Sequence, residues 1–135
     1  MSTLLAVTDT HALIWYAQQR RRRLGRHARR LFEEADAGRA VIYVPTVALV
    51  EVFDAARKGL IELANGTHTW VRNLLACGSF VAIDLTVEIV LAAEQLYDIP
   101  ERMDRLIAAT AVHLETPLIT RDPEIASMAG LQLLW

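Results

Sequence analysis

The sequence predicts an α/β domain, with a mostly parallel sheet of four to five strands sandwiched between helices. Two observations carry that expectation. Short apolar runs rich in branched residues alternate along the chain with longer amphipathic, helix-forming segments. The runs are apolar throughout rather than at every second position, which is the pattern of strands covered on both faces. With 135 residues, the chain has the size of one domain spanning 1–135, large enough to bury a real core.

Strand 1 is expected at about 4–8, followed through Asp9-Thr10-His11 by an apolar helix carrying Trp15 and Tyr16. Gly25 separates this helix from a second at about 26–37, whose Ala28, Leu31, Phe32 and Ala35 recur at helical spacing on one face. Gly38 supplies a C-terminal cap, and strand 2 follows at about 40–44. Thr46 is expected to cap a helix at about 47–58, which Gly59 ends. A helix at about 67–76 leads to strand 3 at about 80–83, then a helix at about 86–96 and a turn at Asp98-Ile99-Pro100. The chain closes with a helix at about 102–114, strand 4 at about 117–120, a short helix opened by Asp122-Pro123, and an edge strand at about 131–134. Strands separated by helices imply right-handed crossovers and a parallel sheet; with strand 1 central, strands 2 and 3 can lie on one side of it and strand 4 on the other. The gap between strands 1 and 4 is then the topological switch point, where open α/β sheets bind ligands.

Composition removes several function classes. The chain is 53% hydrophobic and 22% charged, which fits a compact globule and excludes extensive disorder. A net charge of −2 excludes a strongly basic nucleic-acid coat, so nucleic-acid contact must come from local patches. Cys77 is the single cysteine, leaving no disulfide framework and no thiolate cluster for zinc, and a reducing cytosol fits best. No apolar stretch reaches the roughly 18 residues of a membrane span. The apolar start is broken by Asp9 and His11, with positive charge after it rather than before, unlike a signal peptide.

Four carboxylates fall at expected element ends: Asp9, Glu51, Asp104 and Asp122. Asp9 and Asp122 close strands 1 and 4 and so face each other across the switch point. Each acid also has a local explanation. Asp9 and Asp122 suit helix N-caps, and Asp104 suits the positive end of a helix dipole. Glu51 shares a spacing of three and four with Asp54 and Lys58, so a wet-face glutamate and a metal ligand fit its pattern equally. Together the four pose a harder problem. Crowded carboxylates raise one another's pKa, and a hard divalent cation such as Mg²⁺ or Mn²⁺ removes that penalty. A cation held by oxygens alone suits phosphodiester hydrolysis, since it polarises the phosphate and activates water.

At these residues the chain resembles the PIN-domain ribonucleases, and among them the VapC-type toxins of bacterial toxin–antitoxin pairs. The resemblance rests on Asp9-Thr10-His11-Ala12-Leu13-Ile14-Trp15, on the helix bearing Glu51, on Asp104-Arg105-Leu106-Ile107-Ala108-Ala109-Thr110-Ala111, and on Pro117-Leu118-Ile119-Thr120-Arg121-Asp122. It implies a three-layer α/β/α domain, Mg²⁺- or Mn²⁺-dependent cleavage of RNA in the cytoplasm, a homodimer, and a VapB-like antitoxin that blocks the site. It also implies that Asp9, Glu51, Asp104 and Asp122 serve as metal ligands and catalytic acids, with Thr120 close behind. Thr10, Arg105 and Arg121 adjoin these positions and are candidates for a supporting or substrate-holding role. The segment at about 65–78 carries no family signature.

Of the 14 basic residues only Lys58 is lysine, and Arg20-Arg21-Arg22-Arg23 with Arg26, Arg29 and Arg30 forms the one concentrated basic patch. It reads as a solvated surface, or as a track for RNA phosphates or an acidic partner segment. Trp15 and Tyr16 read as core or dimer interface, and His11 as a packed or partly exposed helix residue. An aspartyl-phosphate enzyme would need a second acid near Asp9 and a late lysine. A nucleotide-binding module would need glycines after strand 1. Neither is present. The remaining alternative is a catalytically inactive PIN-like module that binds nucleic acid or protein.

Overall fold

A computed structural model of the protein describes residues 4–135. In chain order the elements are β1 (Leu4–Thr8), α1 (Thr10–Ala17), a 3-10 turn at Arg21–Arg23, α2 (Arg26–Asp36), β2 (Ala40–Pro45), α3 (Thr46–Arg57) and α4 (Gly66–Ala76). They continue with β3 (Phe80–Ile83), α5 (Val87–Glu94), α6 (Arg102–Leu114), β4 (Leu118–Ile119), α7 (Pro123–Met128) and β5 (Leu133–Leu134).

All the strand pairs are parallel, in the order β3-β2-β1-β4-β5, with β1 central, β2 and β3 on one side and β4 on the other as expected. On one side of β1, residues 4–7 pair with residues 40–43; on the other, Val7 and Thr8 pair with Leu118 and Ile119. Because successive strand residues face opposite ways, each strand feeds two cores. Ala6, Ile42, Val44 and Phe80 pack with Leu13, Phe32, Val52 and Leu74 on one face. Val7 and Leu118 pack with Val47, Ile107, Ala108 and Ala111 on the other. The result is three layers, helix on sheet on helix.

Two helices open on side-chain caps that the sequence reading did not assign. The Thr86 hydroxyl accepts from the Ile89 N–H at 3.3 Å, opening α5, and Glu101 Oε2 accepts from the Asp104 N–H at 2.8 Å, opening α6. Thr46 departs from expectation. It is the first residue of α3 rather than its cap; Pro45 holds the cap position and no side chain caps the helix. Pro45 still pairs with Ile83 in the sheet, so the strand runs straight into the helix and leaves the Thr46 hydroxyl no room upstream.

The basic run is tied down at one end. Arg21 Nη2 and the Tyr16 hydroxyl donate to opposite oxygens of Asp36, at 2.8 and 2.6 Å. Burial and that carboxylate push the Tyr16 phenol well above its ordinary value, while its ring stacks on Phe32 at 4.7 Å. Trp15, 7% exposed, is a core residue, as one of the two sequence readings held, and the half-buried Tyr16 packs against that core.

Gly25 is required by a close approach rather than by backbone conformation. A Cβ there would lie 2.4 Å from the backbone carbonyl carbon of Trp135. The Trp135 carbonyl also accepts from the His27 N–H at 3.3 Å, so the β5 end is clamped onto the start of α2. Gly25→Ala is therefore expected to cost about 1–3 kcal/mol, as overpacking does. A lower urea midpoint with unchanged cooperativity is the expected result, and an unchanged midpoint would show that the contact yields freely.

Candidate active site

The carboxyl ends of β1 and β4 define the site. The Asp9 N–H donates to the Ile119 carbonyl at 3.0 Å, continuing the β1–β4 ladder one residue past the strand. That bond fixes Asp9 and the fully buried Thr120 side by side at the switch point. Asp9 Oδ1 accepts from the Ala12 N–H at 2.9 Å and so caps α1. Asp122 similarly caps α7, accepting from the Glu124 N–H at 3.0 Å, while its own N–H donates to Thr120 Oγ1 at 3.2 Å. Both local explanations for these acids are thus correct, and neither removes the acids from the rim.

Asp9, Asp104, Asp122, Thr120 and Arg121 line one cleft of about 180 Å³, together with His11, Trp15, Ile125 and Trp135. Asp104 reaches it from the first turn of α6. Glu51 approaches from α3 behind them: the Thr10 hydroxyl, on a residue only 7% exposed, donates to Glu51 Oε1. Thr10 thereby ties the helix that follows β1 to the helix that follows β2. Arg105 does not join the cleft. It follows Asp104 on α6, and neighbouring helix residues point about 100° apart.

The electrostatics fit acids brought together against their preference. Burial raises the Asp9 carboxyl above its ordinary value, opposed by the Ala12 N–H, the Thr120 hydroxyl, His11 and Arg121. The Asp104 carboxyl is pushed from 3.8 to about 6, first by burial and then by the negative charges of Glu101, Glu51 and Asp9. Among the described residues no three histidine, cysteine or carboxylate groups stand close enough to hold one metal ion in these side-chain positions. The donor set is nevertheless all oxygen and carries excess negative charge, which fits a hard divalent cation rather than zinc.

Three contributors escape a reading based on strand ends. Glu101 acts on Asp104 through its charge, and its place three residues earlier, as the cap of α6, is a signal the sequence does carry. His11, read from the sequence as packed or partly exposed, is exposed; it lies near Trp15 with ring centroids 5.9 Å apart and lines the cleft. Trp135 arrives by tertiary packing alone.

An acid-lined cleft at the switch point of a five-stranded parallel sheet defines the class: an α/β domain with an oxygen-donor site. The chain belongs to the PIN domain family, whose model matches residues 6–131. PIN domains are generally nucleases that use divalent metal ions. No curated protein sequence matches the chain. Among solved structures it is similar to VapBC2 from Rickettsia felis bound to a promoter DNA fragment, at 15% identity and TM-score 0.68, covering 96% of this chain and 97% of that one. It is also similar to DNA-bound VapBC from Salmonella typhimurium, at 13% identity and TM-score 0.67 over 97% of each chain. A toxin–antitoxin complex from Klebsiella pneumoniae matches at 23% identity and TM-score 0.61 over 90% of each.

A carboxyl whose value is raised by folding binds more proton when folded than when unfolded, so the metal-free protein should lose stability as pH rises from about 4 to about 6. Asp104→Asn should remove much of that loss and gain on the order of 1 kcal/mol at pH 7 in EDTA, allowing for solvent screening. Thermal melts at pH 4.5 and 7 check this; an identical pH response in the variant would show that crowding at Asp104 is not the cause.

Proposed function

We propose that the chain is a divalent-metal-dependent endoribonuclease acting as the toxin of a toxin–antitoxin pair. One observation carries the reading: Asp9, Asp104 and Asp122 open into a single cleft, and Glu51, outside its lining, is near enough for its charge to act on Asp104. Asp9, Glu51 and Asp104, with Asp122 beside them, would hold Mg²⁺ or Mn²⁺. Bound there, the cation supplies polarisation of a phosphate oxygen and a more acidic water. The chain's own residues do the rest. Thr10 keeps one Glu51 oxygen turned to the rim, and Thr120 holds Asp9 and the start of the Asp122 turn in register. Arg121 places the cleft's guanidinium beside the acids, suited to a phosphate oxygen. The Trp15 and Trp135 rings wall off water on one flank.

The complexes named among the similar structures support a VapB-like antitoxin as partner, and a cytoplasmic location accompanies that reading. A homodimer is supported by α5, which leaves Val87, Val90 and Leu91 exposed, at 70%, 46% and 62%. The rival reading, an inactive binding module, draws on the capping bonds that explain Asp9 and Asp122 without catalysis.

Asp9→Asn separates the two, because asparagine keeps the helix cap while losing the charge. Cleavage of single-stranded RNA should fall about 1000-fold or more, the equivalent of several kcal/mol of charge stabilisation, with no loss of melting temperature. EDTA should stop cleavage and Mn²⁺ restore it. Full activity of the purified variant would sink the mechanism. For the dimer, Leu91→Glu should halve the mass seen by light scattering, and a monomeric wild type would exclude it.

A further inference from the structure

Arg121 is exposed in the midst of carboxylates and yet, among the described residues, forms no ion pair with any of them. Its guanidinium lies instead over the Trp15 ring, 5.1 Å from the centroid. Trp15 is itself set edge-on against Trp135 at 5.7 Å, with the His11 ring 5.9 Å away. Ile125 completes the lining. The exposed Arg121 guanidinium thus lies over an aromatic face rather than in a salt bridge with Asp9 or Asp122. Flat cationic and aromatic groups around a small cleft are the apparatus by which proteins take up a single unpaired base.

We propose that Arg121, seated on Trp15 and flanked by Trp135 and His11, forms a subsite that stacks one unpaired nucleobase next to the scissile phosphate. This rests on the ribonuclease reading of the adjacent acids and adds to it what the substrate must present. A base can reach the Arg121 face only if it is unstacked, so the nucleotide beside the cut must be unpaired. Arg121 is a specificity-determining residue in this account: it presents a face to the base as well as a charge to the phosphate. Lysine, a point charge without a plane, cannot replace it.

The test is a binding cycle in EDTA, where turnover is off. Fluorescein-labelled eight-nucleotide homopolymer RNAs are compared with an abasic ribose-phosphate oligomer of equal length, on the wild-type chain and on Arg121→Lys. The wild type should bind the best homopolymer about tenfold more tightly than the abasic oligomer, the stacking of one base. Arg121→Lys should lose most of that ratio; each variant is its own reference, so a change in phosphate affinity common to both oligomers cancels. Equal wild-type affinity for abasic and base-bearing oligomers overturns the subsite, as does a ratio that survives Arg121→Lys. These outcomes are separate from the fate of the nuclease reading. A wild type that cuts RNA with Mn²⁺ but ignores bases keeps the catalyst and loses the subsite, and base-dependent binding without any cleavage does the reverse.

Discussion

Confining Asp9 and Asp104 in one cleft is the constraint around which the protein is built. Carboxylates that repel one another cost free energy, and the local positive groups, His11 and Arg121 among them, offset only part of it. The fold holds the acids there by means that have nothing to do with charge: a backbone ladder between β1 and β4, and helix caps at Asp9, Glu101 and Asp122. Each cap satisfies an amide that the start of a helix leaves orphaned. The same bond that begins a helix therefore aims a carboxylate, so stability and site geometry are bought together.

The two faces of the sheet divide the labour. One face carries the aromatic pile of Tyr16, Phe32 and Phe80, anchored by Asp36 and Arg21 at the end opposite the acids. The other is filled by small residues of α6, where Ala108 and Ala111 let the helix approach β1 closely. Close approach matters because Asp104 sits in the first turn of that helix, and a bulkier interface would lift it away from Asp9.

Much of this was legible from residues alone. Short branched runs fixed the strands, and glycine and proline marked the ends of α2, α3 and α7. Alternation of strands and helices implied a parallel sheet, and a central β1 with β4 beside it places Asp9 and Asp122 at one rim. What stayed hidden depends on side-chain direction and on packing between distant segments. Glu51 fits two faces by periodicity, and only the Thr10 hydroxyl, from another helix, decides which way it turns. Arg105 and Arg121 look equivalent beside their acids in the sequence, yet Arg121 alone lines the cleft, over Trp15. Thr46 failed as a cap because β2 holds its pairing through Pro45, a tertiary demand that local propensity cannot see.

The ladder between Asp9 and Ile119 joins residues from opposite ends of the polypeptide. Such non-local pairing forms late, since the intervening chain must order first. During synthesis, β1 through α5 can emerge and begin to fold while β4 still lies inside the ribosome. Until β4 is released there is no β1–β4 crevice, and Asp9 is only the cap of a nascent helix. The order of synthesis thus assembles the acid-lined cleft late.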